Sequence, residues 1–275
     1  MLHRVFLLIF SLLLAGGTAD AQDSALRRMN TGDDSRGWEA VGRLDLGGRG
    51  FCTGAMITPD LVLTAAHCLF DKTTGQRIDH SKVEFLAGWR NGRAEAYRMV
   101  RRAVVHPSYQ YDGAVTTERV RNDIALLELQ RPIRNTSVHP FATARNVRAG
   151  DSVGVVSYAR GRADAPSMQE MCGVIGRQKG VLVMSCDVDF GSSGAPVFSF
   201  DSGEVRIVSV VSAKAEAKGR QVALGSQLDG SVALLRSQLD AGVGVFQAPP
   251  PGVNRIGVAG ARRNTGAKFI RPGGG

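Results

Sequence analysis

From Trp38 onward the apolar residues fall in short runs separated by turn residues. A first set comprises Ala40 to Leu44, Gly54 to Ile57, Leu61 to Thr64, Val83 to Gly88, Tyr97 to Val100 and Ile124 to Leu129, with turn signals such as Thr58-Pro59-Asp60 and Asn91-Gly92 between them. A second set follows Gly150: Ser152 to Tyr158, Glu170 to Ile175, Val181 to Asp187, Ala195 to Phe200, Val205 to Val211 and Val222 to Leu224. Runs of this length and spacing are too short for helices and predict an all-β chain folded as a sandwich or barrel. One segment breaks the pattern. Val232, Leu235 and Leu239 recur at helical spacing, Ser231 can cap the start and Gly242 can stop the end, which predicts a short C-terminal helix.

The two ends lie outside this pattern. Met1-Leu2-His3-Arg4 is a short positive start, Val5 to Leu14 is a compact apolar run, and Ala19-Asp20-Ala21 is a small-x-small cleavage site. That order is the layout of a secretory signal peptide over residues 1–21, too short to serve as a membrane anchor, and no later stretch is long and apolar enough to cross a bilayer. Residues 22–37 are polar and without period, and read as a leader or pro-segment, with order beginning near Trp38. After the helix, Pro249-Pro250-Pro251 opens a Gly/Arg/Asn-rich stretch, and residues 244–275 read as a disordered basic tail.

Of the 275 residues, 43% are hydrophobic, enough for a sizeable core. The formal net charge is +9, and Arg255, Arg262, Arg263, Lys268 and Arg271 place part of it in a tail region without Asp or Glu. Such a tail favours contact with anionic surfaces without selecting a specific nucleic acid. Export to an extracellular or periplasmic compartment makes the four cysteines candidates for disulfides. Cys172 and Cys186 are symmetric about Gln178-Lys179-Gly180, a plausible hairpin turn, and Cys52 and Cys68 flank a strand–turn–strand stretch. Of the possible pairings, Cys52–Cys68 and Cys172–Cys186 are therefore expected. No close Cys/His cluster suggests a metal site, and no cofactor motif is present.

Three motifs carry the chemistry: Thr64-Ala65-Ala66-His67-Cys68, then Asn122-Asp123-Ile124-Ala125-Leu126-Leu127, then Gly191-Ser192-Ser193-Gly194-Ala195-Pro196. A serine hydroxyl needs a base to become a nucleophile, and the base needs a carboxylate to fix its tautomer. No histidine follows Ser193, and Ala195 stands where a hydrolase elbow needs its second glycine, so the order His, Asp, Ser is the usable one. His80 reads as a solvated loop residue, and His106 and His139, each before proline, read as structural.

The three motifs together resemble those of the chymotrypsin-like (trypsin-fold) serine proteases. Phe51 to Ile57 followed by Leu61 to Cys68 looks like that family's approach to its histidine, and Val104-Val105-His106-Pro107-Ser108-Tyr109 like its approach to the aspartate. The resemblance implies two six-stranded antiparallel β-barrels, here residues 38–142 and 143–243 with the helix, and an active site in the cleft between them. It implies His67 as base, Asp123 as its orienting carboxylate, Ser193 as nucleophile, the N–H groups of Gly191 and Ser193 as oxyanion hole, and Ser212 as support for the aspartate. The products would be cleaved polypeptides, the chain acting as a monomer. With every triad member present, a silent binding protein of this fold is the weaker reading.

The chain also departs from that family. Ser192 replaces the aspartate that precedes the nucleophile in digestive trypsins, and no Ile-Val-Gly-Gly start is present, so activation through a new N-terminal ammonium has no partner. A neutral residue here is similar to the bacterial glutamyl-endopeptidase-like branch. Asp187 stands six residues before Ser193, where trypsins place the carboxylate that pairs with Lys or Arg, and cleavage after those residues would follow if it lies at a pocket base. Asp189 competes for that role. Lys214 could neutralise Asp187 or attract acidic side chains, and Val211 stands where glutamate-specific members have histidine.

Overall fold

The computed structural model describes residues 23–246, apart from 112, 113, 146 and 229. The expected signal peptide and residues 247–275 of the tail expected over 244–275 lie outside the described residues, whereas Phe246, expected in that disordered tail, is buried and bonded to Ala103. Among the described residues, no helix is long and apolar enough to cross a membrane.

The first barrel is closed by β2 (Val41–Asp45), β3 (Phe51–Thr58), β4 (Leu61–Thr64), β5 (Glu84–Ala87), β6 (Ala96–Val105) and β7 (Ala125–Leu129), hydrogen-bonded in the order β2-β3-β4-β7-β6-β5. Every pairing is antiparallel, and β2 meets β5 to close the ring, so no edge is left open. Between β6 and β7 lies α1 (Thr117–Arg121), one short helical turn. The wall is largely apolar: Leu44, Leu63, Phe85 and Leu126 are fully enclosed, and of the five buried residues of β7 only Glu128 is charged, paired with Arg101 and Arg102.

The second barrel uses β9 (Ser152–Ala159), β10 (Arg162–Gln178), β11 (Val181–Met184), β12 (Pro196–Ser199), β13 (Arg206–Ala217) and β14 (Arg220–Gln227). Its ring runs β9-β10-β11-β14-β13-β12 and returns to β9, again antiparallel throughout. Two short strands attach outside the ring: β1 (Arg27–Arg28) along β10 and β8 (Ala142–Thr143) parallel to β13. The sequence predicts only Glu170 to Ile175 for the strand that extends over 17 residues in β10. Register shifts between Arg162 and Ser167 and between Gln169 and Cys172 let β10 bend around the barrel, which blurs its alternation.

The β10–β11 hairpin turns at Lys179 (φ 47°) and Gly180 (φ 83°). Two consecutive left-handed residues make the turn whose twist matches the flanking strands. The hairpin brings Cys172 and Cys186 together, their Cα atoms 5.1 Å apart, in the expected disulfide. The Cys52–Cys68 disulfide is present as well, joining β3 to the segment after β4.

The barrels are tied together by polar groups as well as by rings. Thr53 is fully buried, its hydroxyl donating to the Gly191 carbonyl at 2.9 Å and accepting from the Tyr158 N–H at 3.1 Å. Trp38 packs edge-on against Phe198 at 4.9 Å and tilted against Phe141 at 5.8 Å.

Two features differ from the sequence-based expectation. Order begins before Trp38. The Arg27–Arg28 backbone extends the β10 edge, Met29 is fully buried, and the Asp23 carboxylate accepts from the Ser185 hydroxyl at 2.7 Å. This attachment is made by backbone pairing and one buried methionine, so no apolar period announces it. The late helix, α2 (Ser231–Ala241), has the expected buried Val232, Leu235 and Leu239 and ends at Gly242 (φ 69°). Its cap, however, is Gly230 in the left-handed conformation with no side-chain bond, and Ser231 is the first helical residue. The helix packs against β6 and β7 of the first barrel, although it follows the second in the chain. Arg102 donates to the Leu239 carbonyl at 3.0 Å, and the Phe246 N–H to the Ala103 carbonyl at 2.7 Å.

Candidate active site

His67 sits on a single 3-10 turn, Ala66–Leu69, that follows β4 directly, and the neighbouring Cys68 is bonded back to β3. Asp123 lies in the turn between α1 and β7 and is 1% exposed. Its two oxygens both serve His67: Oδ1 accepts the backbone N–H at 2.8 Å, and Oδ2 lies 2.6 Å from Nδ1. The Ser212 hydroxyl donates to Oδ2 as well. A carboxylate so placed holds the ring with its proton on Nδ1 and leaves Nε2 of the neutral imidazole free to accept one.

Ser193 and His67 line the same cleft between the barrels. The serine is carried on a tight loop before β12 in which Gly191 (φ 102°) and Gly194 (φ 75°) take backbone conformations that side chains disfavour. There is no room for a Cβ at either position: at Gly191 it would stand 2.2 Å from the Phe51 ring, and at Gly194 2.1 Å from Thr64 Oγ1 and 2.5 Å from the Thr53 carbonyl. The loop is pinned by the Ser192 N–H to the Asp189 carbonyl (2.8 Å), Ala195 N–H to Ser192 carbonyl (2.9 Å), and Gly194 N–H to Val211 carbonyl (2.7 Å). The Phe190 carbonyl accepts from the Arg160 N–H at 2.7 Å. In a trans peptide the next N–H points the opposite way, so this bond turns the Gly191 N–H away from Arg160. Among the described residues, neither the Gly191 nor the Ser193 N–H meets a protein acceptor.

Ser212 and Lys214 border a cavity of about 200 Å³ together with Val188, Asp189, Phe190, His67, Asp123 and Ser193. Asp187, one of two carboxylates considered for the base of this pocket, borders a second cavity with Ser185, Lys214 and Gln221. Its backbone N–H donates to Gln169 Oε1 at 2.7 Å. Asp189 faces the cleft, but its Oδ1 accepts the Phe190 N–H at 2.7 Å. Phe190 itself is 60% exposed at the rim, its ring flanked by Arg160 at 4.5 Å and, from the opposite barrel, Lys72 at 5.5 Å. Lys72, Arg119 and Phe190 were not legible as cleft residues, because nothing in the sequence around them departs from an ordinary polar loop.

Among the described residues, no other histidine lines the cleft. His80, expected in solvent, is buried against Phe246 with Nε2 3.2 Å from the Arg101 carbonyl. His106 Nδ1 accepts the Ser108 N–H at 3.3 Å, and burial, reinforced by the Arg121 charge, holds its imidazole below the usual histidine range. Cys52, His67 and Cys68 cluster closely, but both sulfurs are committed to their disulfide and offer no thiolate to a metal.

Two closed six-stranded barrels with a His–Asp pair on one and a serine loop on the other define a chymotrypsin-type architecture. A family model described as Trypsin matches residues 30–226, and the chain belongs to that family. It is 27% identical over 154 residues to a glutamyl endopeptidase of Bacillus licheniformis, covering 56% of this chain and 46% of that protein. It is 32% identical over 117 residues to cathepsin G of Mus musculus, covering 40% of this chain and 39% of that one. The chain thus spans less than half the length of these curated relatives. A solved structure of Glu endopeptidase in complex with MPD superimposes with a TM-score of 0.63 at 17% identity, over 81% of this chain and 97% of that one.

Proposed function

We propose that this chain is an exported serine endopeptidase that hydrolyses peptide bonds through an acyl-enzyme. Ser193 Oγ attacks the scissile carbonyl carbon. His67 Nε2 takes the serine proton and then gives it to the leaving amine, and Asp123 stabilises the imidazolium formed in between. The carbonyl oxygen, negative in the tetrahedral intermediate, is received by the Gly191 and Ser193 N–H groups. Water repeats the cycle and releases the acyl group. The observation that carries this reading is the double grip of buried Asp123 on His67, which commits one tautomer of the base. A fluorophosphonate should label the chain once, on the peptide that contains Ser193. Labelling that persists in Ser193→Ala would overturn the assignment.

The cleft is expected to prefer an acidic side chain before the cut. Lys214 borders it, and among the described residues no carboxylate pairs with that ammonium. Asp189 already accepts a backbone N–H, and Asp187 borders the second cavity. Similarity to glutamyl endopeptidases supports the same choice. Digestion of a peptide library should give cuts after Glu or Asp, and Lys214→Glu should lower that preference about tenfold or more. Cuts after Arg or Lys in the unaltered protein would return the specificity to Asp187 or Asp189.

A further inference from the structure

Ser192 stands where digestive trypsins have an aspartate, and it is fully buried and neutral. The loop still needs something to hold it. The contacts that reach it from the β9–β10 connection, Arg160-Gly161-Arg162, form a chain. Arg162 Nη2 donates to Ser192 Oγ at 3.3 Å and to Ser157 Oγ at 3.1 Å. Its Nη1 donates to the Ser157 carbonyl at 2.8 Å and to Ser157 Oγ at 3.1 Å. Ser192 Oγ also accepts the Asp189 N–H at 3.3 Å. Two residues earlier, the Arg160 N–H holds the Phe190 carbonyl. The connection thus grips the loop at two points, one on each side of Gly191.

We infer that the β9–β10 connection is the device that keeps the oxyanion loop formed, with Arg162 as its positioning residue, in place of an N-terminal ammonium released by processing. The inference rests on the proposed triad reading and adds to it how the loop is held. A guanidinium suits this position because it stays charged when partly enclosed and its planar fork can serve Ser157 and Ser192 together. Asp187 and Asp189 are the carboxylates whose charge opposes the effect of burial on this group. Arg162 touches neither the cleft-facing N–H groups nor the reacting atoms; it acts through Ser192 and the peptide planes on either side of it. Cleavage at a particular N-terminus would not be needed to form the site.

The test compares the full chain with Arg162→Ala and Arg162→Lys on a fluorogenic peptide that the unaltered protein cuts. Losing a charge-assisted anchor should lower kcat about tenfold or more in Arg162→Ala with KM within about twofold, because the loop acts on the transition state. Guanidinium ion at low, non-denaturing concentration should restore part of that loss. Arg162→Lys, which keeps the charge and loses the fork, should fall between. Amide exchange over residues 187–195 should rise in Arg162→Ala and fall again with guanidinium, a readout that needs no turnover. An Arg162→Ala protein with kcat within twofold of the original, or with unchanged exchange over those residues, would overturn the inference. If the unaltered chain cuts nothing, the protease reading fails, and the exchange measurement still decides whether Arg162 holds the loop.

Discussion

Asp123→Asn should lower kcat/KM by about 10⁴ at neutral pH while the protein keeps its fold. The geometry explains both halves of that expectation. In the native chain three donors converge on one buried carboxylate: the His67 backbone N–H, His67 Nδ1 and the Ser212 hydroxyl. An amide has nearly the same shape, so packing around it changes little. It presents one oxygen and one NH₂ where two acceptors are needed. If the oxygen keeps the backbone N–H of His67, the NH₂ faces Nδ1. The ring must then accept there and carry its own proton on Nε2, the nitrogen that should receive the proton of Ser193. The base is present but in the wrong tautomer. Steady-state kinetics beside a thermal melt check the expectation; a loss matched by a large fall in Tm would assign Asp123 a structural role instead.

Gly191→Ala should cost about 10² to 10³ in kcat, the scale of losing one donor to a developing oxyanion. Two independent obstacles meet at this residue. Its φ of 102° is one that alanine seldom adopts, and the added Cβ would lie 2.2 Å from the Phe51 ring and 3.1 Å from the Ala159 Cα. The flanking peptides must therefore rotate or the loop must lift, and either change moves the Gly191 N–H. The cavity at Ser212 to Lys214, where the substrate side chain is proposed to sit, is not lined by Gly191, so KM should change much less. The second substitution Phe51→Ala separates the causes. Recovery of activity in the double variant would assign the loss to the clash, and a persistent loss would assign it to the backbone conformation.

The candidate catalytic residues were the most legible part of the sequence because they reside in contiguous motifs. His67 lies three residues beyond the end of β4, and Ser193 between two glycines that a tight turn requires. The hairpin at Lys179 and Gly180 could be read in the same way, and with it the Cys172–Cys186 bond. What could not be read depends on contacts far apart in the chain. The Arg27–Arg28 strand attaches by its backbone, and both of its side chains are exposed. Arg162 gains its role only because β9 and the serine loop meet it in space, and Arg160-Gly161-Arg162-Ala163-Asp164 looks like any polar turn. Asp187 was placed by counting back from Ser193, a count that does not foresee its backbone bond to Gln169 or the second cavity it borders. Helical period in α2 identified the buried face without revealing which barrel would receive it.

That last placement bears on how the protein is made. Arg102 of β6 and Leu239 of α2 are in contact across a sequence separation of 137 residues, and Phe246 closes onto Ala103 just beyond. A ribosome delivers the β6 strip long before it delivers the helix that covers it. Such distant pairing is slow to form and leaves apolar surface open while the chain grows. The order of delivery also separates the reacting groups in time. His67 and Asp123 can assemble on an early barrel, but Ser193, Ser212 and the closing helix all arrive later. On the proposed reading, a nascent chain holds a base with nothing to activate until the second barrel delivers Ser193.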